Sequence, residues 1–174
     1  MNSRKSWIRS GLIAAAGLLF AWSSATADGK EKKFHARLDG AQETPAISTG
    51  ATGTFEATLN SAGNTLSYEL RYSDLEGGNT LFAHVHIGQF DVAGGVMFFL
   101  CGGGGKPACP NGSATITGTV TAADVIGPAG QGISAGQFDE AIRAMRDGIA
   151  YANVHTVTFP TGEIRGQLVA KAGM

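Results

Sequence analysis

The 174-residue chain carries 13 Lys and Arg against 14 Asp and Glu, a formal net charge of −1 at pH 7. No basic stripe runs along it, so it lacks the electrostatic footprint of a nucleic-acid binder. Its length suits one domain around one core, and its 8% aromatic and 43% hydrophobic content suits a globular chain.

Residues 1–27 read as a secretory signal peptide rather than as part of the fold. Arg4, Lys5 and Arg9 form a positive start, Gly11 to Trp22 is apolar, and Ala25-Thr26-Ala27 offers the small residues a signal peptidase accepts. The apolar run is short for a bilayer span. The alternative is a retained N-terminal anchor. Cleavage before Asp28 would leave a domain over 28–174 with ten basic and fourteen acidic residues, and with no membrane span. The expected location is exported, either periplasmic or secreted.

Strands dominate the rest of the chain. Lys33–Asp39 opens the domain. Ala51, Gly53, Phe55, Ala57 and Leu59 alternate with Thr52, Thr54, Glu56 and Thr58. Leu66, Tyr68, Leu70 and Tyr72 alternate in the same way. The linking Asn60-Ser61-Ala62-Gly63-Asn64 reads as a hairpin loop. Further strands are expected over Leu81–Ile87, Gly95–Cys101, Ser113–Val120, Ala150–Thr158 and Glu163–Ala170. Period-two alternation signals antiparallel strands with one dry and one wet face. Eight such strands fit an all-β, antiparallel β-sandwich or a flattened barrel.

One segment breaks the period. Ser134 and Gln137 have capping-box spacing, and Phe138, Ile142, Met145 and Ile149 succeed them at helical intervals. Asp139 and Glu140 early, Arg143 and Arg146 late, and Gly148 at the end predict one short α-helix with Ser134 as its N-cap.

Cys101 and Cys109 flank a Gly-rich loop in the exported part, where disulfides persist. A bridge between them is the natural reading. A two-thiolate metal site is the alternative, although neither cysteine has a His at metal-motif spacing. Gly102–Lys106 is no phosphate loop, because Leu100 and Pro107 stand where its Gly and its Ser or Thr belong.

The chain has four histidines. In Ala83-His84-Val85-His86 the two rings share one face of a strand, opposite the core. Asn153 and His155 share a face of a later strand, and Glu163, Arg165 and Gln167 share a face of the last. These faces are expected to be wet and open to an ion or partner. If the strands pair, His84, His86 and His155 converge on a zinc or copper site, since neutral imidazole is a common ligand for both. Asn153, Glu163 and Arg165 are then candidate ligand-orienting groups. Ligating rings must be neutral, so affinity should fall below a pH of about 6.5. An alternative is a hydrogen-bonded cluster with no ion, with Glu163 and Arg165 as a solvated ion pair. His35, beside Arg37 on the first strand, reads as surface packing.

The chain resembles the CHRD domain family, first named from chordin and common in exported bacterial proteins. The likeness runs from about Phe34 to Leu168. It is carried by Leu38-Asp39-Gly40-Ala41-Gln42-Glu43-Thr44-Pro45, by Ala83-His84-Val85-His86, by Tyr151-Ala152-Asn153-Val154-His155-Thr156 and by Pro160-Thr161-Gly162-Glu163-Ile164-Arg165-Gly166-Gln167-Leu168. Ile87-Gly88-Gln89 stands where many members have Gly-Pro. The resemblance implies an immunoglobulin-like or superoxide-dismutase-like sandwich. His84-Val85-His86, His155 and Arg165 are also similar to part of the metal site of copper/zinc superoxide dismutases, without their bridging His. Three functions are therefore expected to compete. The first is a non-catalytic exported binding module for copper, zinc or an extracytoplasmic ligand. The second is a copper-dependent redox enzyme. The third is a structural or adhesive domain without metal.

Overall fold

The computed structural model describes residues 32–171; the expected signal peptide and its cleavage point lie outside the described residues. The elements in chain order are β1 (Lys32–Asp39), β2 (Thr52–Leu59), β3 (Leu66–Ser73), β4 (Thr80–Ile87), β5 (Val96–Cys101), β6 (Ala114–Val120), α1 (Phe138–Arg146), β7 (Ala150–Thr156), β8 (Ile164–Gln167) and β9 (Val169–Lys171).

The expected all-β antiparallel fold is present, but as one sheet rather than two packed ones. The strands run β5-β4-β7-β8-β1-β2-β3-β6, with β9 added beside β1, and the sheet curls until it is nearly closed into a barrel. An immunoglobulin-like sandwich needs a break between two sheets. Here the Asp39–Arg165 pairing of β1 with β8, together with the pairing of β9 with Lys33–His35, keeps the sheet continuous. The strand expected over Glu163–Ala170 is interrupted at Leu168, whose N–H donates to the Ala150 carbonyl instead.

Alternation places the core inside the curl. Phe34, Leu38, Phe55, Leu66, Leu70, Val85, Phe98, Val154 and Ile164 are all sealed from solvent there. Each such side chain contributes roughly 1.5–3 kcal/mol on burial. Asn60 shapes the β2–β3 hairpin by accepting from the backbone N–H groups of Asn64 and Thr65, and Gly63 supplies the left-handed backbone (φ 75°).

β5 and β6 are the end strands of the sheet, and a tyrosine and a disulfide-closed loop tie them together. Tyr68 Oη on β3 donates to the Leu100 carbonyl on β5 at 2.7 Å. The Cys101–Cys109 disulfide is formed and closes the Gly-rich loop. From that loop Lys106 donates to the Thr119 carbonyl of β6 and pairs with Asp124, both at 2.7 Å. Closing a loop of this length stabilises the fold by roughly 2.5 kcal/mol in the chain-entropy picture.

The helix begins three residues later than the capping-box spacing predicts, with Gln137 rather than Ser134 as its N-cap. Gln137 does reach back to the Ser134 N–H, at 2.6 Å, but Ser134–Gln137 is a separate turn and the helix starts at Phe138. Its end is as expected. Gly148 is left-handed, with the Gly148 N–H bonded to Met145 and the Ile149 N–H to Ala144, a Schellman motif.

A second difference concerns the polar face of β4, β7 and β8. It is not wet. Every residue of β7 is buried, and so are His84, His86 and Arg165. The loops 40–51, 74–79, 88–95 and 157–162 fold over that face and replace water with backbone partners.

Candidate metal centre

The register of β5, β4, β7 and β8 assembles the site. His84 lies opposite Phe99 on one side and Asn153 on the other, and Asn153 lies opposite Arg165. One step along, His86 faces Tyr151 and Tyr151 faces Gln167. One step the other way, Phe82 faces His155. Side chains two apart share a face, so all of these project into the same covered layer.

The three imidazoles meet there. Ring centroids are 4.4 Å apart for His84–His86, 4.4 Å for His84–His155 and 6.3 Å for His86–His155. One ring nitrogen from each lies within 4.8 Å of the other two. Ligands about 2.0–2.1 Å from a zinc ion stand roughly 3.4 Å from one another. Modest rotations of the rings therefore close the set around an ion.

Two backbone carbonyls fix the tautomers. His86 Nδ1 lies 2.8 Å from the Gly94 carbonyl and His155 Nδ1 lies 3.0 Å from the Pro160 carbonyl. A carbonyl only accepts, so each Nδ1 carries the proton and each Nε2 keeps its lone pair. Both Nε2 atoms, and His84 Nδ1, are buried without any hydrogen-bond partner. Burial holds the rings neutral. It pushes His84 down to about 2 from the usual 6.5, with help from His86 and His155, and takes His86 and His155 down to about 4. The pH at which protons compete for these nitrogens thus lies well below the 6.5 expected for free imidazole.

Aromatic rings enclose the cluster. Phe82 lies 4.8 Å from His155 and 5.3 Å from His84, and Phe99 lies 5.2 Å from His84. Tyr151 stacks on His86 at 4.6 Å. Gly103 of the disulfide loop lies so close over Phe99 that a Cβ there would collide with the ring.

The three residues expected to orient the ligands are all buried, each with a different set of partners. Asn153 donates to Glu43 Oε1 at 2.6 Å, and its amide helps His86 retain a proton against the stronger pull of burial. Gly162 borders this bond, where any side chain would strike Glu43 and Asn153. Arg165, 2% exposed, stacks on Tyr151 at 3.7 Å and donates to Thr44 Oγ1 and to the carbonyls of Gln89 and Val92. Glu163, fully buried, accepts from Thr49 and Thr156 hydroxyls and from the Glu76 and Gly77 N–H groups at 2.7–3.0 Å. Glu163 therefore anchors the covering loops and bonds to none of the rings. It forms no ion pair with Arg165 among the described residues. His35 lies on β1, paired with Glu56 and Val169, away from the cluster.

The structure adds Tyr151, Phe82 and Glu43 to the site. The first two were within reach of the period-two rule, since each stands two residues before a site residue. Glu43 lies in the Leu38–Pro45 segment that carries the family likeness, but it comes from the loop after β1, where no strand period places it at the site. Desolvation raises its carboxyl to about 7 against the opposing pull of Arg165. An open groove of about 760 Å³ lies on the other half of the sheet beside Arg37, Thr54, Arg71 and Thr115, and it touches none of these groups.

Fold and site together define a class: a nearly closed antiparallel barrel with a buried three-imidazole cluster under its loops. The CHRD domain profile matches residues 34–168, and the chain belongs to that family. No curated protein and no solved structure matches the chain.

Proposed function

We propose that this protein is an exported, non-catalytic CHRD-domain binding module whose His84, His86 and His155 hold a transition-metal ion, copper or zinc. One observation carries the reading. The lone-pair Nε2 atoms of His86 and His155 are sealed together with the unpartnered Nδ1 of His84, and no hydrogen bond joins them. Buried acceptors without partners cost roughly 1–3 kcal/mol each, and a cation bound at their centre relieves all three. A metal-free hydrogen-bond network would need donors between the rings, and two of the three rings spend their N–H on loop carbonyls. Phe82 and Phe99 cover the cluster, which favours binding over turnover of a substrate at the ion. Export is supported by the leader-like residues 1–27 and by the disulfide. Among the described residues no helix is long and apolar enough to cross a membrane.

Elemental analysis and equilibrium dialysis of the exported protein test the reading. One equivalent of metal is expected, lost in His84→Ala, His86→Ala and His155→Ala and kept in His35→Ala. Variants that retain the β fold and still bind one equivalent would refute it.

A further inference from the structure

We infer that the ion this site selects is copper(I), a conclusion that rests on the metal-site reading above. Charge supplies the first argument. All three ligands are neutral, and among the described residues no carboxylate joins them as a ligand within the cluster. Glu163 spends its carboxylate on four donors in the loops. The charged groups near the rings are Arg165 and Glu43, which offset one another when Glu43 is ionised. The ion's own charge is then uncompensated. The cost of burying an ion grows as the square of its charge, so a dication is penalised about four times as heavily as a monocation.

Coordination number supplies the second argument. Zinc is almost always four-coordinate, and where the protein provides three ligands a water completes the set. Copper(II) prefers a tetragonal set of nitrogen and oxygen donors. Here the three free nitrogens are sealed from solvent. The rings of Phe82 and Phe99 lie against His84 and His155 and offer no donor, while the unpartnered Asn153 Oδ1 opposite His84 is a neutral amide oxygen that brings no charge to an ion. Copper(I) has a filled d shell, accepts three ligands, and is attracted by an aromatic face as other monocations are.

Anaerobic competition titrations decide the matter. Bicinchoninate competes for copper(I) and a chromophoric zinc chelator competes for zinc(II), with the disulfide left intact. Copper(I) is expected to bind one equivalent at least 100-fold more tightly than zinc(II). Phe82→Asp brings a carboxylate to the rings, adding both a fourth donor and a negative charge. It should raise zinc affinity at least tenfold and narrow the preference. Phe82→Leu keeps the seal and should preserve it. Zinc bound as tightly as copper(I) by the parent protein, or a preference unmoved in a folded Phe82→Asp, would overturn the inference while leaving a metal site. Failure of both ions to bind would remove the underlying reading as well.

Discussion

The two halves of the sheet share one sequence pattern and meet opposite fates. On β2, β3 and β6 alternation works as expected: Phe55, Leu66, Leu70 and Val120 are buried, while Thr54, Arg71, Thr115 and Thr117 on the other face are exposed. On β4, β7 and β8 the residues alternate apolar and polar just as regularly, yet both faces are dry. The reason lies in the loops. His86 and His155 hold the Gly94 and Pro160 carbonyls, Arg165 holds those of Gln89 and Val92, and Glu163 holds the N–H groups of Glu76 and Gly77. Alternation reports the polarity of a face. Whether that face meets water depends on what folds over it.

Acid should separate the halves most strongly, because the covered half contains the groups whose titration burial shifts most. His84, His86 and His155 titrate lower in the folded chain than the usual 6.5. Below 6.5 the unfolded chain therefore binds more protons, and their contribution to stability is lost as pH falls. Glu43 acts in the opposite sense. Raised to about 7, it takes up its proton in the folded state first, so its contribution is present at low pH and lost as pH rises through 7. Each group supplies at most about 1.4 kcal/mol per pH unit, and three outweigh one. Metal-free protein should lose about 3 kcal/mol between pH 7 and pH 5, read from urea midpoints in chelator. Glu43→Gln removes the opposing contribution and should steepen the loss. Stability that is flat or rising toward pH 5 would mean that the rings are not held neutral by burial.

A matched pair of glutamates sharpens the comparison next. Glu163→Ala strands two backbone N–H groups and two hydroxyls under the loops and should cost about 2–3 kcal/mol. It should also increase proteolysis within 74–79. Glu69→Ala removes a surface carboxylate that pairs with exposed Arg71 on the wet half, and it should leave the melting temperature unchanged. Equal effects of the two would show that the loops do not depend on Glu163.

These contrasts also mark how far the residues alone could be read. The strands, the disulfide and the shared faces of His84 with His86 and of Asn153 with His155 came from local spacing, because period two and a short Cys loop are local properties; the convergence of the three rings was conditional on the pairing of β4 with β7. The closure of the sheet was not legible. It depends on the pairing of β1 with β8 and β9, between strands more than a hundred residues apart. The role of Glu163 was not legible either, since its partners Thr49, Glu76 and Gly77 come from two distant loops. Alternation placed Glu163 beside Arg165 but carried no information about the layer above them.

The smallest and cleanest test makes one chemical change in both halves. Thr→Val keeps the shape of the side chain and removes a hydroxyl. Thr117 stands exposed on β6 opposite Glu69, and its hydroxyl is free to bond water. Thr117→Val should stay within about 0.5 kcal/mol of the parent, with β-branching preserved and little burial to alter. Thr156 stands at the end of β7, fully buried, with its hydroxyl donating to Glu163 Oε2 at 2.8 Å. Thr156→Val leaves the shape intact but removes one of four donors to a buried carboxylate, so it should cost about 1–3 kcal/mol. The double variant with Glu163→Gln isolates the coupling. If Thr156 acts through that carboxylate, the two costs should fall short of additivity, as they do for residues sharing one network. Additive costs, or a Thr156→Val as mild as Thr117→Val, would mean that water reaches the covered face after all and that the two halves differ less than their burial indicates.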